Sequence, residues 1–239
     1  MIYIIFSLVS ILLGCGITSP DSDSAGKAAD ESLLVGLDNA VIRSTDIQSS
    51  QVSSNDDRPT IVVFGDSLTE GYGLPSGKSF PDVMQRELDD QGYYYAVLNE
   101  GVSGDTTSGG LMRCSVVASH SPAIAIVALG GNDGLRGIAP DLIKKNLRSI
   151  IQEFSIQGTQ VVIGGMKLPP NYGRQYTEAF ERVFYDLARE LDLPLIPFLL
   201  EGVGGYPEFM QDDGIHPNEK GTLRVASLVM RHLQPLLTK

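Results

Sequence analysis

The stretch Ile61-Val62-Val63-Phe64-Gly65-Asp66-Ser67-Leu68-Thr69-Glu70-Gly71 decides how this chain folds. Four apolar, mostly β-branched residues run straight into Gly-Asp-Ser-Leu. A run of this kind, bounded by a turn, reads as a short strand buried on both faces, as in a parallel sheet. The turn then lies at the strand's carboxyl end, the side on which open α/β sheets bind ligands. Ser67 is either a hydroxyl presented to a crevice, where it can serve as a nucleophile, or a plain cap for the helix that follows.

Working outward, strands and helices alternate from Thr60 onward. The pattern predicts a helix after Ser79-Phe80-Pro81 that stops before Gly92. It predicts a strand over 94–98, a helix over 107–119 weakened by Gly109 and Gly110, and a buried strand over 123–129. Ile143, Leu147, Ile150, Ile151 and Phe154 share one face of the clearest helix, which Gly158 stops. A strand over 160–163 follows. Tyr176, Phe180, Val183, Phe184 and Leu187 mark the next helix. Leu195-Ile196 is a short fifth strand between Pro194 and Pro197, and the last helix spans about 219–237. Five strands alternating with helices imply one doubly wound α/β domain over 59–239, a five-stranded parallel sheet with helices on both faces. No internal repeat or second domain is evident.

The residues before this domain differ in composition. Residues 1–14 are almost wholly apolar, too few to span a bilayer, which takes about 20 residues. They resemble the core of a secretory signal. Leu12-Leu13-Gly14-Cys15 then resembles a bacterial lipobox, which implies cleavage before Cys15 and lipidation of its thiol. The departure is the absence of Lys or Arg from the first ten residues. The plain alternative is an ordinary signal peptide with an incidental Cys. Gly16 rather than Asp after the Cys fits outer-membrane retention by the same analogy. Residues 16–58 hold eight acidic and three basic residues among Ser, Asp, Asn, Gly and Ala, and read as a disordered polar tether. A flexible tether of that length spans roughly 35–40 Å root-mean-square.

The formal net charge of −11 argues against a nucleic-acid partner. The second of the two cysteines, Cys114, lies in a helical pattern with Leu111 and Val117 and reads as a small core residue. No His, Cys and acidic cluster has metal-ligand spacing, and Gly130-Gly131 lacks the context of a dinucleotide site. No cofactor is implied.

Three further loops fall on the rim that carries Ser67. They are Asn99-Glu100-Gly101-Val102-Ser103-Gly104-Asp105 after the second strand, Leu129-Gly130-Gly131-Asn132-Asp133-Gly134 after the third, and Met210 through Asn218 after the fifth. In order, FGDSLTEG, NEGVSGDT, LGGNDGLRG and DDGIHPN resemble the four blocks of the SGNH (GDSL) hydrolase family. The likeness is closest to its bacterial thioesterase/arylesterase/lysophospholipase group. PPNYGRQY (169–176) and residues 194–218 resemble that group too, so the likeness covers 60–239 nearly continuously. It implies a serine ester hydrolase that acts on aryl esters, short-to-medium acyl esters or thioesters and lysophospholipids; the separate lipobox likeness, outside the family match, adds a membrane tether through Cys15. Carbohydrate acetylesterase chemistry, or a non-catalytic binding protein on the same fold, are the alternatives.

Elementary chemistry runs beside that likeness. A serine hydroxyl needs a base to become a nucleophile. Of three histidines, His232 sits in the last helix and His120 at the opposite rim, which leaves His216. Asp213, three residues earlier, can turn its carboxylate onto one ring nitrogen, with Asp212 as the rival. The family pattern implies an oxyanion hole of the Ser67 N–H, the Gly104 N–H and the Asn132 side-chain amide. Asp66 and Asp133 read as residues that bond their own turns and carry no catalytic role. Val203, Tyr206 and Phe209 read as one wall of a groove for a single acyl chain, and Arg136 as an ordinary solvated residue.

Overall fold

The computed structural model describes residues 56–239. The expected signal segment, the lipidation site Cys15 and nearly all of the expected tether lie outside the described residues. In chain order the elements are β1 (Thr60–Gly65), α1 (Ser67–Glu70), α2 (Phe80–Asp90), β2 (Ala96–Gly101), α3 (Thr107–Ala118), β3 (Ile124–Ala128), α4 (Gly131–Leu135), α5 (Pro140–Ile156), β4 (Gln160–Gly164), α6 (Arg174–Leu191), β5 (Leu195–Ile196) and α7 (Glu219–Leu233). All strands are parallel, in the order β2-β1-β3-β4-β5. Among the described residues no helix is long and apolar enough to cross a membrane.

The strand order determines where helices go. The chain moves one way from β1 to β2 and the other way from β2 through β3 and β4 to β5. Right-handed crossovers therefore put α2 on one face of the sheet and α3, α5 and α6 on the other. The helix contacts agree: α3 packs on α5 and α5 on α6, whereas α2 packs on α7. Reversal of direction at β1 and β3 leaves a crevice between their carboxyl ends.

β1 lies between β2 and β3, and Ile61, Val62, Val63 and Phe64 are wholly buried. The Phe64 ring meets Phe154 of α5 edge-on, 5.5 Å between centroids. Glycine in α3 has a packing reason. A Cβ at Gly110 would lie 2.4 Å from a Leu129 methyl and 3.2 Å from the Phe64 ring. The residue that weakens α3 as an isolated helix is thus the one that lets it seat on the sheet. Cys114 is buried in the core, while Leu111 of the same helix is exposed.

Several features differ from the sequence reading. β2 begins and ends later than 94–98, because this edge strand is only partly buried and its polar residues Asn99 and Glu100 pair with Val63 and Phe64. Apolar patterning does not register such residues. α7 stops at Leu233, and Pro235 follows within a 3-10 turn. The two short helices α1 and α4 lie where loops were expected. Residues 56–58, expected in the tether, bond to the domain, with Arg58 Nη1 donating to the Tyr95 carbonyl at 3.2 Å.

Candidate active site

Asp66 caps α1, its carboxylate accepting from the Leu68 N–H at 3.1 Å. Ser67 is thereby the first residue of a one-turn helix, just beyond the buried end of β1. The turn is tight. A Cβ at Gly65 would meet Thr69 Oγ1 at 2.0 Å, and one at Gly101 would meet the Glu70 nitrogen at 2.1 Å. Only glycine at both places lets α1 lie against β2.

The last long loop brings its residues to the same point. His216 Nε2 lies 2.9 Å from Ser67 Oγ, and His216 Nδ1 lies 2.6 Å from Asp213 Oδ2. The other Asp213 oxygen accepts from the backbone N–H groups of Ile215 (2.8 Å) and His216 (3.0 Å). Desolvation pushes the Asp213 carboxyl up, but these bonds from His216 and Ile215 outweigh it and hold the group down at about 2. The ionised carboxylate accepts a hydrogen bond from Nδ1–H and so fixes the proton on that nitrogen, which leaves the Nε2 lone pair facing the serine hydroxyl. Of the two neighbouring aspartates, it is Asp213 and not Asp212 that meets the ring. A serine so placed can pass its proton to the imidazole as its oxygen attacks an electrophile.

Of the donors implied for an oxyanion, the Ser67 N–H belongs to the nucleophile itself, and Gly104 and Asn132 line the same groove from other segments. Gly104 is exposed, with φ of +79°, in a turn closed by the bond from the Asp105 N–H to the Val102 carbonyl (3.0 Å). Among the described residues neither the Ser67 nor the Gly104 N–H has a protein acceptor. Asn132, in the first turn of α4, donates through Nδ2 to the Asp105 carbonyl at 2.9 Å. Its second hydrogen points toward Asp66 Oδ2, 3.4 Å away, too far for a good bond and open to a closer acceptor. Burial pushes Asp66 up to about 6. Leu68 N–H and His216 oppose this, and Asp105 and Asp133 add to it.

Asp133 departs from its sequence reading. Its side chain does not bond its own turn. It is buried and accepts from the Thr107 N–H (2.8 Å) and Thr107 hydroxyl (2.6 Å), so it ties α4 to the start of α3. Asn146 of α5 donates to the same hydroxyl at 3.1 Å. Buried polar groups must find partners, and these satisfy one another.

A groove of about 610 Å³ runs past Ser67 and His216. Its walls are mainly apolar: Leu68, Tyr72, Leu135, Met166, Leu168, Phe198, Leu200, Met210 and Ile215. The wall residues expected from the long loop are replaced by others on the same segment. Val203 is wholly buried, and the Phe209 ring lies under the Arg224 guanidinium, 3.9 Å from centroid to carbon. Phe198, Leu200 and Met210 line the groove instead. Sequence reasoning also missed Tyr72, whose ring lies 4.6 Å from the His216 ring. The only signal was its nearness to Ser67 in the chain. Arg113 was missed too: it bonds Asp105 (2.8 Å) and the Gly65 carbonyl (2.9 Å) and lies 4.0 Å over the Phe64 ring.

A doubly wound sheet with Ser67, His216, Asn132 and the Gly104 turn gathered at its strand ends is the architecture of SGNH hydrolases. The chain belongs to the GDSL-like lipase/acylhydrolase family, which matches residues 63–223. It is 44% identical over 179 residues to esterase TesA of Pseudomonas aeruginosa, covering 74% of this chain and 89% of that protein. It is 38% identical over 179 residues to thioesterase 1/protease 1/lysophospholipase L1 of Escherichia coli, covering 74% and 85% respectively. Among solved structures it superposes on a crystal structure of TesA with a TM-score of 0.72 and 44% identity, over 74% of this chain and 99% of the other.

Proposed function

We propose that this protein is a serine ester hydrolase in which Ser67 attacks the acyl carbonyl, His216 takes its proton and Asp213 orients His216. The single observation that carries the assignment is the unbroken bond series from Ser67 Oγ to His216 to Asp213 at the mouth of an apolar groove. The developing oxyanion is met by the N–H groups of Ser67 and Gly104 and by the Asn132 amide. His216 then returns its proton to the leaving alcohol or thiol, and water cleaves the acyl-enzyme with His216 again as base.

The substrates proposed are aryl esters, short-to-medium acyl esters or thioesters, and lysophospholipids. The apolar walls suit one acyl chain, and relatives are named esterase, thioesterase, lysophospholipase and arylesterase. The sequence also supports export and attachment of Cys15 to a membrane by lipid, on the periplasmic or outer-membrane side. Stable attachment takes more than one acyl chain.

A fluorophosphonate probe tests the chemistry. Wild-type protein is expected to be labelled at Ser67, and Ser67→Ala protein is not. Labelling elsewhere, or none, overturns the assignment. Competition among a lysophospholipid, a phenyl ester, an acyl-CoA and an acetylated sugar tests the substrate class, and preference for the sugar overturns it. A mass shift at Cys15 in the membrane fraction, lost in Cys15→Ser, tests the anchor.

A further inference from the structure

We infer that Arg136 is a positioning residue that holds the Gly104 turn in register with Asn132. This rests on the proposed hydrolase chemistry. Gly104 is exposed and sits at positive φ, a conformation in which the residue gains nothing from a side chain of its own. An exposed glycine turn is among the loosest pieces of a chain, yet a donor that stabilises a transition state must already be in place when charge develops. The turn therefore needs external restraints.

Arg136 supplies one across space. It stands at the C-cap of α4, where its own N–H bonds the Asn132 and Asp133 carbonyls at 3.1 and 3.2 Å. Its Nη2 reaches over to donate to the Gly104 carbonyl at 3.0 Å. One five-residue helix thus carries the Asn132 amide at its start and, at its end, the guanidinium that grips the segment bearing the second donor. On the far side of the turn the Ser103 hydroxyl bonds Glu70, the last residue of the helix that begins with Ser67. A charged donor makes a stronger restraint than a neutral one. Arg136 is exposed, and its removal leaves no buried group unpaired.

The experiment compares wild type with Arg136→Met, which keeps the stem and removes the donor, and Arg136→Lys, which keeps a cation. Each is assayed on a soluble p-nitrophenyl ester, with the affinity of an alkyl boronate as a probe for the tetrahedral oxyanion. Arg136→Met is expected to lower kcat about tenfold, a fraction of the roughly 10²–10³-fold lost when an oxyanion donor is removed outright. KM changes less than about twofold, boronate affinity falls in parallel with kcat, and Tm stays put. Arg136→Lys recovers part of the loss. A role in packing alone would lower Tm and spare the kcat of the folded fraction. An active wild type with unchanged kcat and boronate affinity in Arg136→Met, or a change in KM alone, overturns the role of Arg136 and leaves the hydrolase reading standing. A wild type that turns over no ester overturns both.

Discussion

Ser67 and Gly104 lie on one rim of the sheet and are held by different means. The Ser67 turn is an extension of β1: its support is Phe64 in the core, glycines with no room for a Cβ, and a buried Asp66 cap. The Gly104 turn is exposed, and its support is a set of side chains reaching in from other elements, namely Glu70, Arg113 through Asp105, and Arg136. The loop of Asp213 and His216 is likewise held by polar contacts, but from within, by the two oxygens of one carboxylate. In this fold the nucleophile is positioned by packing, while its partners are positioned by polar contacts at the surface. Substitutions among the supports of the first region should act on stability, and those among the supports of the second on rate.

The sharpest test removes the reacting groups themselves. Ser67→Ala and His216→Ala are expected to lower ester turnover by about 10⁴–10⁶-fold with little change in thermal midpoint, because the groups act as a unit. A folded Ser67→Ala protein with near-native turnover would break the comparison at its root. Phe64→Ala probes the other kind of support. Loss of a wholly buried ring should cost about 3–5 kcal/mol in urea unfolding, while the protein still folded keeps most of its kcat.

Asp66 links the two kinds, since it is buried yet titrates. Its carboxyl sits at about 6 in the folded protein, against about 3.9 when unfolded. Between these values the folded state holds the extra proton, so its contribution favours folding below about pH 4 and is lost as pH rises through 6. The gap corresponds to on the order of 3 kcal/mol. Urea midpoints from pH 4 to 7 should show the stability of wild type falling relative to Asp66→Asn, and parallel curves would refute this. Asp213 behaves in the opposite sense. Its carboxyl is held at about 2, so its contribution is present above the unfolded value and is lost as pH falls from about 4 toward 2. The smallest effect expected is at Asp212. Asp212→Ala should stay within about twofold of wild-type kcat, while Asp213→Ala falls by roughly 10³–10⁴-fold. Equal losses would mean that the loop exchanges one carboxylate for the other.

Much of this was legible in the chain. β-branched runs mark β1 and β3, the apolar stripe of α5 is clear, and Ser67, His216 and Asp213 follow from strand ends and a three-residue spacing. What escaped shares a cause. Four- and five-residue helices such as α1 and α4 are too short to show a period, and their glycines read as loop. The partner of Asp133 is 26 residues away in α3, and no local pattern announces such a bond. The groove wall depended on which residues of one loop turn inward, so Val203 became core while Phe198 and Met210 became lining.

Helix α4 packs several jobs into neighbouring positions: Asn132 lines the groove with Ser67 and bonds the Asp105 carbonyl, Asp133 anchors inward to α3, Leu135 lines the groove and Arg136 grips Gly104. Each step along a helix turns the side chain by about 100°. A single residue inserted after Gly131 would rotate every one of these groups off its partner together, turning the amide toward the core and driving the acid onto Leu168 and Phe180, where Gly134 leaves no room for a Cβ. This segment is therefore sensitive to length as well as to identity. Between β3 and α5 the spacing of the chain is itself part of the active site.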